Sequence, residues 1–380
     1  MKIGIMTFYD SYNYGAVLQA WALQQALLGF NAPSEIIAFE RKKLSKGQSE
    51  KPPPLPLHRK IIRKYQSLRT RSSIELRNRR FDEFRSSFLA LSTKRYVTAD
   101  ELWSCPPSYD AFICGSDQIW NPLHSDFVRL FMLEFAPSSK PRIAYAPSFG
   151  IEKMPDCDER DAMSKALSRF DYLSVRERSG VRIVEELCGR KATRVLDPTL
   201  LLNADFWSPI CDNTDIPSGP YILLYALSPC SPEILKFIES IRRREKCQVV
   251  VVPHCKHNYD NRYKKAFAAG PREFLALVKN AKAVITNSFH GTAFSVLFAK
   301  PFCSFVGDVP DARRKSSRIT DFLKILNLSD RFADPQKANS MSLPLDVDLA
   351  PAQAILDSER EGSLAYLRQA LSAPELRSPN

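Results

Sequence analysis

Short apolar runs alternate with stretches of helical spacing along most of this 380-residue chain. Residues 2–8 predict a buried strand. A loop with Asn13, Tyr14 and Gly15 at its tip separates it from 16–28, where Val17, Ala20, Trp21, Leu23, Leu27 and Leu28 recur on one helical face. Residues 35–39 read as a second strand. Strand, small-residue loop, helix and strand open a doubly wound fold. Further strands are predicted at 109–114, 142–147, 171–175 and 194–196, with a helix near 180–188. Residues 205–220, rich in Asp, Asn and Pro, read as a linker. A second α/β unit then starts afresh, with strands at 221–227, 248–253, 283–287 and 302–305 and helices near 231–244, 271–279 and 291–299. Residues 336–350 look loose, 351–371 predict a last helix, and 372–380 a frayed tail.

The expected fold class is therefore α/β, with two Rossmann-like domains facing across a cleft. The expected division is an N-terminal domain over 1–204, a linker over 205–220, a C-terminal domain over 221–335 and an extension over 336–380. The carboxyl ends of both sheets would line the cleft.

Charge adds a regional feature. Residues 41–95 hold seventeen Lys or Arg against four Asp or Glu, which accounts for essentially all of the net charge of +12. After a stiff spacer at 51–57, residues 61–88 predict a basic helix with Tyr65, Leu68, Phe81, Phe84 and Phe88 on its apolar side. Such a segment suits an anionic membrane face, a polyphosphate or nucleic acid, or is simply a solvated helical face. Nucleic-acid binding would need aromatic residues interleaved with the charges on an exposed face. Here the aromatics fall at core spacing, so no nucleic-acid partner is expected. Nine scattered cysteines without C-x-x-C spacing read as reduced thiols rather than a disulfide or zinc framework. No apolar run is long enough to span a bilayer, and residues 3–8 are too short for a secretory core. The expected location is the cytoplasm, free or resting at the inner face of the plasma membrane.

Candidate chemistry gathers at strand ends. Residues 284–292 run from an apolar strand through Thr286, Asn287 and Ser288 into Phe289, His290, Gly291 and Thr292 at a helix start. Free backbone N–H groups and the helix dipole favour a phosphate or carboxylate there. His290 either serves chemistry at this turn or merely caps the helix and fills the core. Other loops at strand ends are 13–15, 115–121 and 176–178. Asp117 suits a proton acceptor or an ordinary turn, Arg176 an anion clamp or a salt bridge to Glu177 or Asp171, and Trp120 a sugar platform or a core side chain. His254 and His257 lack a carboxylate partner at metal-ligand spacing, so no metal is expected and His254 is better placed lining the cleft. No GxGxxG or Walker A pattern marks a dinucleotide or ATP site.

The order of these motifs resembles the polysaccharide pyruvyl transferase family. The matching pieces are NYGAVLQAWALQQAL (13–27), CGSDQIWNP (114–122), LSVRERSG (173–180), VLDPTLLL (195–202), VITNSFHGTAFSVLFAKPF (284–302) and SSRITDFLKILNL (316–328). The resemblance implies a glycosyltransferase-B-like fold, with the N-terminal domain on the acceptor side and the C-terminal domain on the donor side. It also implies transfer of the pyruvyl group of phosphoenolpyruvate (PEP) to a sugar of a polysaccharide or lipid-linked precursor, as a cyclic ketal with release of phosphate. No cofactor is then needed. His290 would protonate the PEP methylene and Asp117 would take the sugar's proton. Arg176, Ser288, Thr292, Arg313 and Arg318 would bind PEP, and Asn13, Tyr14, Trp120 and Asn121 the acceptor. Some branches carry Arg-Leu-His where this chain has Ser288-Phe289-His290, so another cation among Arg313, Arg314, Lys315 and Arg318 would complete the clamp. The basic region 59–95 would meet anionic lipid or the pyrophosphate of a lipid-linked acceptor. The alternative is a glycosyltransferase on the same scaffold, using a nucleotide sugar.

Overall fold

A computed structural model describes residues 1–40, 57–123, 128–157, 159–211, 216–253, 262–309, 316–334 and 344–372. His254, His257, Arg313, Arg314 and Lys315 lie outside the described residues.

Two parallel sheets carry the fold. The first comprises β1 (Ile3–Met6), β2 (Ser34–Phe39), β3 (Leu91–Tyr96), β4 (Ala111–Cys114) and β5 (Arg142–Ala144), in the order β3-β2-β1-β4-β5. A two-stranded sheet, β6 (Ser174–Val175) and β7 (Thr193–Arg194), continues its edge through a bridge between Ile143 and Tyr172. The second large sheet comprises β8 (Tyr221–Ala226), β9 (Gln248–Pro253), β10 (Lys264–Lys265), β11 (Ala283–Thr286), β12 (Phe302–Phe305) and β13 (Phe332–Ala333), in the order β10-β9-β8-β11-β12-β13. Every strand pair in these sheets is parallel. In each large sheet the order reverses beside the first strand, between β1 and β4 and between β8 and β11. Those reversals open crevices at the carboxyl ends, where doubly wound sheets hold ligands.

The central strands are apolar throughout because helices cover both faces. β1, β4, β8, β11 and β12 are buried at every residue. Helix α1 (Tyr14–Leu28) is buried on nearly all sides, which marks it as a helix packed between layers rather than on a surface. One apolar cluster runs from Ile3 and Trp21 through Trp207 and Tyr225 to Phe294 and Leu367, so the two sheets share a continuous core.

Some elements differ from the sequence expectation. The linker expected over 205–220 begins as helix Ala204–Cys211, because Trp207 is fully buried against Trp21 and Phe294 at ring-centroid distances of 5.0 and 5.1 Å. Strand β3 follows the basic helix α2 (Leu57–Phe88) where no strand was expected; half exposed and polar, it lacks the apolar signal of a central strand. The last helix, expected over 351–371, spans Ala350–Ser372 and crosses back to the first sheet. There Tyr366 donates to Ala144 O at 2.9 Å, and Ser363 accepts the Leu196 N–H at 2.9 Å. None of the described helices is long and apolar enough to cross a membrane.

Candidate active site

Asp197 is the hub of a buried polar cluster between the sheets. It caps the short turn Pro198–Leu200: Oδ1 accepts the Thr199 backbone N–H at 3.0 Å and the Thr199 hydroxyl at 2.8 Å. Oδ2 is left to face cations. It accepts from Arg176 Nη1 at 2.7 Å and Ser116 Oγ at 3.1 Å, and His290 Nε2 lies 3.5 Å away. Burial alone would push this carboxyl up. His290 and Arg176 outweigh that and hold it far below the usual carboxylate range.

Arg176 follows β6 and is buried. Its Nε donates to Glu177 Oε1 at 3.1 Å, and the guanidinium carbon sits 4.4 Å over the Phe289 ring. Two carboxylates and a ring therefore fix its plane, while Nη2 stays buried without a partner.

His290 is the second residue of helix Phe289–Leu297, which Ser288 caps by accepting the Gly291 N–H at 3.3 Å. Its ring is pressed between the sheets. A Cβ added at Gly15 would stand 2.0 Å from Nδ1 and 2.4 Å from Cε1, so only glycine lets α1 come this close. His290 is 7% exposed, and its Nε2 makes no hydrogen bond.

Arg318, at the start of helix Ser317–Ile325, meets the loop after β4. With the Gln118 amide oxygen turned toward it, that oxygen accepts from Nη1 at 3.2 Å and Nη2 at 3.0 Å. Burial, and then the charge of neighbouring Arg176, push the guanidinium down. Its Nε is buried with no partner. Asp117, on the same loop, adopts a φ of 73° and carries a half-buried carboxylate whose Oδ1 accepts the Gln118 N–H at 2.9 Å. The residues after β1, β4, β6 and β7 thus meet those after β11 and β12.

Three buried donors, on Arg176, His290 and Arg318, stay open in this cluster, beside one open acceptor, Glu177 Oε2. An unpaired buried donor costs about 1–3 kcal/mol. A small, multiply charged anion bearing several oxygens has the chemistry to satisfy donors of this kind.

The family model for polysaccharide pyruvyl transferase matches residues 13–308. The chain belongs to the polysaccharide pyruvyl transferase family. A search of curated proteins gives no match. Among solved structures, the UDP-GlcNAc 2-epimerase of Methanocaldococcus jannaschii, in complex with UDP-GlcNAc and UDP, aligns with a TM-score of 0.50 at 13% identity, over 98% of this chain and 99% of that one. The Neisseria meningitidis UDP-GlcNAc 2-epimerase aligns with a TM-score of 0.48 at 10% identity, over 97% and 100%. The architecture is the glycosyltransferase-B-like fold, and family membership makes the protein a transferase.

In this pyruvyl transferase family member, several expected ligand residues are spent on structure. Tyr14 is 2% exposed, donates to Ala269 O at 2.7 Å and stacks on Phe274 at 4.5 Å. Trp120 is fully buried, with Nε1 donating to Phe131 O at 3.3 Å. Neither presents a face to an acceptor, because the core closes over the loops that carry them. Thr292 is fully buried and bonds Ser288 O at 3.0 Å and Ser304 Oγ at 2.7 Å, while Ser288 serves as the helix cap. Asn13 caps α1 through Ala16 N at 3.3 Å, and Asn121 is buried, accepting the Leu123 N–H at 2.9 Å. Asp197 is the residue that the sequence reading left without a role. Its Asp-Pro-Thr setting is an ordinary capped turn, and the only prior signal was its place after a strand within a family motif.

Proposed function

We propose that the protein transfers the pyruvyl group of PEP to a sugar hydroxyl pair, forming a cyclic ketal and releasing phosphate. The observation that carries this reading is the set of buried, unpartnered donors on Arg176, Arg318 and His290, in a chain of this family. Arg176 and Arg318 would hold the phosphate and carboxylate of PEP. Arg318 then takes the place of the guanidinium that Ser288 lacks. His290, which faces Asp197, donates a proton to the methylene carbon of PEP. The oxocarbenium-like centre that results is attacked by one sugar hydroxyl, whose proton passes to Asp117. A second hydroxyl then attacks the same carbon and closes the ketal, as the phosphate leaves with that hydroxyl's proton.

The test is incubation with PEP and a panel of galactosides, mannosides and N-acetylhexosaminides, scored by released phosphate and an acid-labile pyruvate adduct. Protection against thermal unfolding by PEP is compared with protection by nucleotide sugars. Protection by a nucleotide sugar alone would favour the glycosyltransferase reading and reject this one. Hydrogen bonds to charged groups are worth about 1.5–3 kcal/mol, so Arg318→Gln should weaken PEP binding by about 10–100-fold. An unchanged affinity would remove Arg318 from the donor site.

A contact of α2 with anionic lipid at the inner membrane face belongs to the same proposal. Of the three arginines at 77, 79 and 80, only Arg79 is exposed; Arg80 turns inward to Ala268 O at 2.9 Å. Arg79 is therefore the one of these three to replace, together with the remaining basic residues of the sequence segment, Arg59, Lys60, Arg63 and Lys64. Each basic residue near an anionic surface contributes about 1 kcal/mol. Vesicle binding that persists in the five-fold variant, or that ignores salt, would reject the contact.

A further inference from the structure

α2 turns one face inward. Arg77, Phe81 and Phe84 share that face at positions i, i+4 and i+7, and both phenylalanines are buried. Phe81 packs on two tyrosines, Tyr14 at 5.0 Å and Tyr12 at 5.7 Å between ring centroids. Tyr14 leads directly into Gly15, against which the His290 imidazole lies. Tyr12 is 41% exposed, and its Cα can be no more than about 11 Å from that of Gly15. The Arg85 guanidinium carbon stands 5.1 Å from the Tyr12 ring centroid, steadied by Ser11 O at 3.3 Å and by Asp82. Tyr12 is thus an exposed ring, held in place, on the first loop of the crevice.

Arg77 differs from its neighbours on the helix. Arg80 is engaged by Ala268 O and by Glu273, which it meets at 3.4 Å. Glu273 also accepts the Gly270 N–H at 2.9 Å. Arg77 Nε is buried without a hydrogen-bond partner, and among the described residues no carboxylate pairs with its guanidinium. Its charge acts on the hydroxyls of both Tyr14 and Tyr225, and the Tyr225 hydroxyl also lies in the field of Asp117. Tyr225 closes the end of β8 at the crevice of the second sheet. Arg77 therefore lies one turn before Phe81 on the inward face of α2, on the side of Tyr14 and Tyr225.

We propose that α2 and the loop after β1 build the acceptor subsite, in which Arg77 receives an oxyanion carried by the acceptor glycan and Tyr12 stacks on a sugar face. The inference rests on the pyruvyl-transfer reading for what the acceptor is used for, but not for its binding. The oxyanion is a phosphate ester or a carboxylate, since a guanidinium pairs with both in the same forked geometry.

The test reads binding rather than turnover. Galactose 1-phosphate, mannose 1-phosphate, N-acetylglucosamine 1-phosphate, galacturonic acid and the matching neutral methyl glycosides are titrated calorimetrically onto the wild type, Arg77→Gln and Arg77→Lys. PEP affinity is read in parallel by protection against thermal unfolding. The wild type should bind at least one charged probe ten-fold or more tighter than its neutral counterpart, and salt should erode the difference. Arg77→Gln should abolish the preference and Arg77→Lys keep part of it, with PEP affinity within two-fold in both. The phosphate probes set against galacturonic acid decide which oxyanion is met. Equal affinity for charged and neutral probes in the wild type, or a preference that survives Arg77→Gln, overturns the proposal. A loss of PEP affinity in Arg77→Gln also overturns it, because Arg77 would then belong to the donor side. Tyr12→Ala should weaken charged and neutral glycosides alike, and no change would reject the stacking. If pyruvyl transfer itself is the wrong reaction, the failure appears separately, as intact glycan binding without phosphate release from PEP.

Discussion

Replacing His290 with glutamine is expected to lower kcat for pyruvyl transfer by about 10²–10⁴-fold, the range lost with a positioned general acid. PEP binding should fall much less, because Arg176 and Arg318 remain to meet its charges. The split between kcat and donor affinity is the diagnostic readout: a purely structural histidine would affect both through stability. Glutamine keeps an N–H donor and a similar length, so the change tests the proton rather than the volume. Gly15→Ala makes the same case by geometry. The added methyl would stand 2.0 Å from Nδ1 and 2.5 Å from Cγ, so the ring or α1 must shift. A displacement of about 1 Å can cost 10²-fold in rate. The measurements are single-turnover phosphate release and PEP-dependent protection, with circular dichroism to check the fold. Wild-type turnover in His290→Gln would exclude this imidazole as the acid.

The strand-to-helix turn that carries His290 was legible because each of its parts has a local cause. Apolar β11 stops at Thr286, Ser288 supplies the cap, and the helix begins at Phe289. The β1–α1 and β4 loops were equally visible as small polar segments after apolar runs. What those segments do in three dimensions was not. Tyr14 and Trp120 look like loop residues, and strand ends in an open sheet are normally where ligands enter. Here the helix Pro271–Lys279 over the second sheet, with Phe274 beside Tyr14, and the local core, with Phe149 and Phe170 beside Trp120, bury both rings. The basic helix misled in a similar way. Its charge pattern reads as a solvated face, yet Arg80 turns inward to donate to the Ala268 carbonyl and meet Glu273. Trp207 sits in a stretch whose Asp, Asn and Pro content signals a linker, but one indole buried against Trp21 is enough to order a helical turn. Asp197 could not be found by composition or period at all. Its role comes from a carboxylate at residue 197 meeting cations at 176 and 290, a convergence that no local window contains.

Asp197→Asn is expected to be the most destabilising single change in the site. The carboxylate is 1% exposed and answers two cationic side chains at once. Breaking a buried pair by removing one partner costs about 3–5 kcal/mol, because the other charge is left without compensation. Glu177 still holds Arg176 through Nε, so the lower end, about 3 kcal/mol, is expected. The pH dependence separates this electrostatic loss from simple misfit. The folded-state pKa of Asp197 is depressed, so its contribution is fully present above the unfolded carboxylate value of about 4. It is lost as pH falls from there toward the folded value, at about 1.4 kcal/mol per pH unit. The stability gap between wild type and Asp197→Asn should therefore be constant from pH 7 to about 5 and shrink below about 4. Urea unfolding at a series of pH values measures it directly. A gap that stays the same down to pH 3 would mean that the amide disrupts packing, and that the carboxylate's charge does not hold Arg176 and His290 in place. Loss of that charge also removes the group that faces His290 Nε2. The variant should then lose kcat as well as stability. An unchanged kcat in the folded variant would separate the stability role of Asp197 from any part in proton donation.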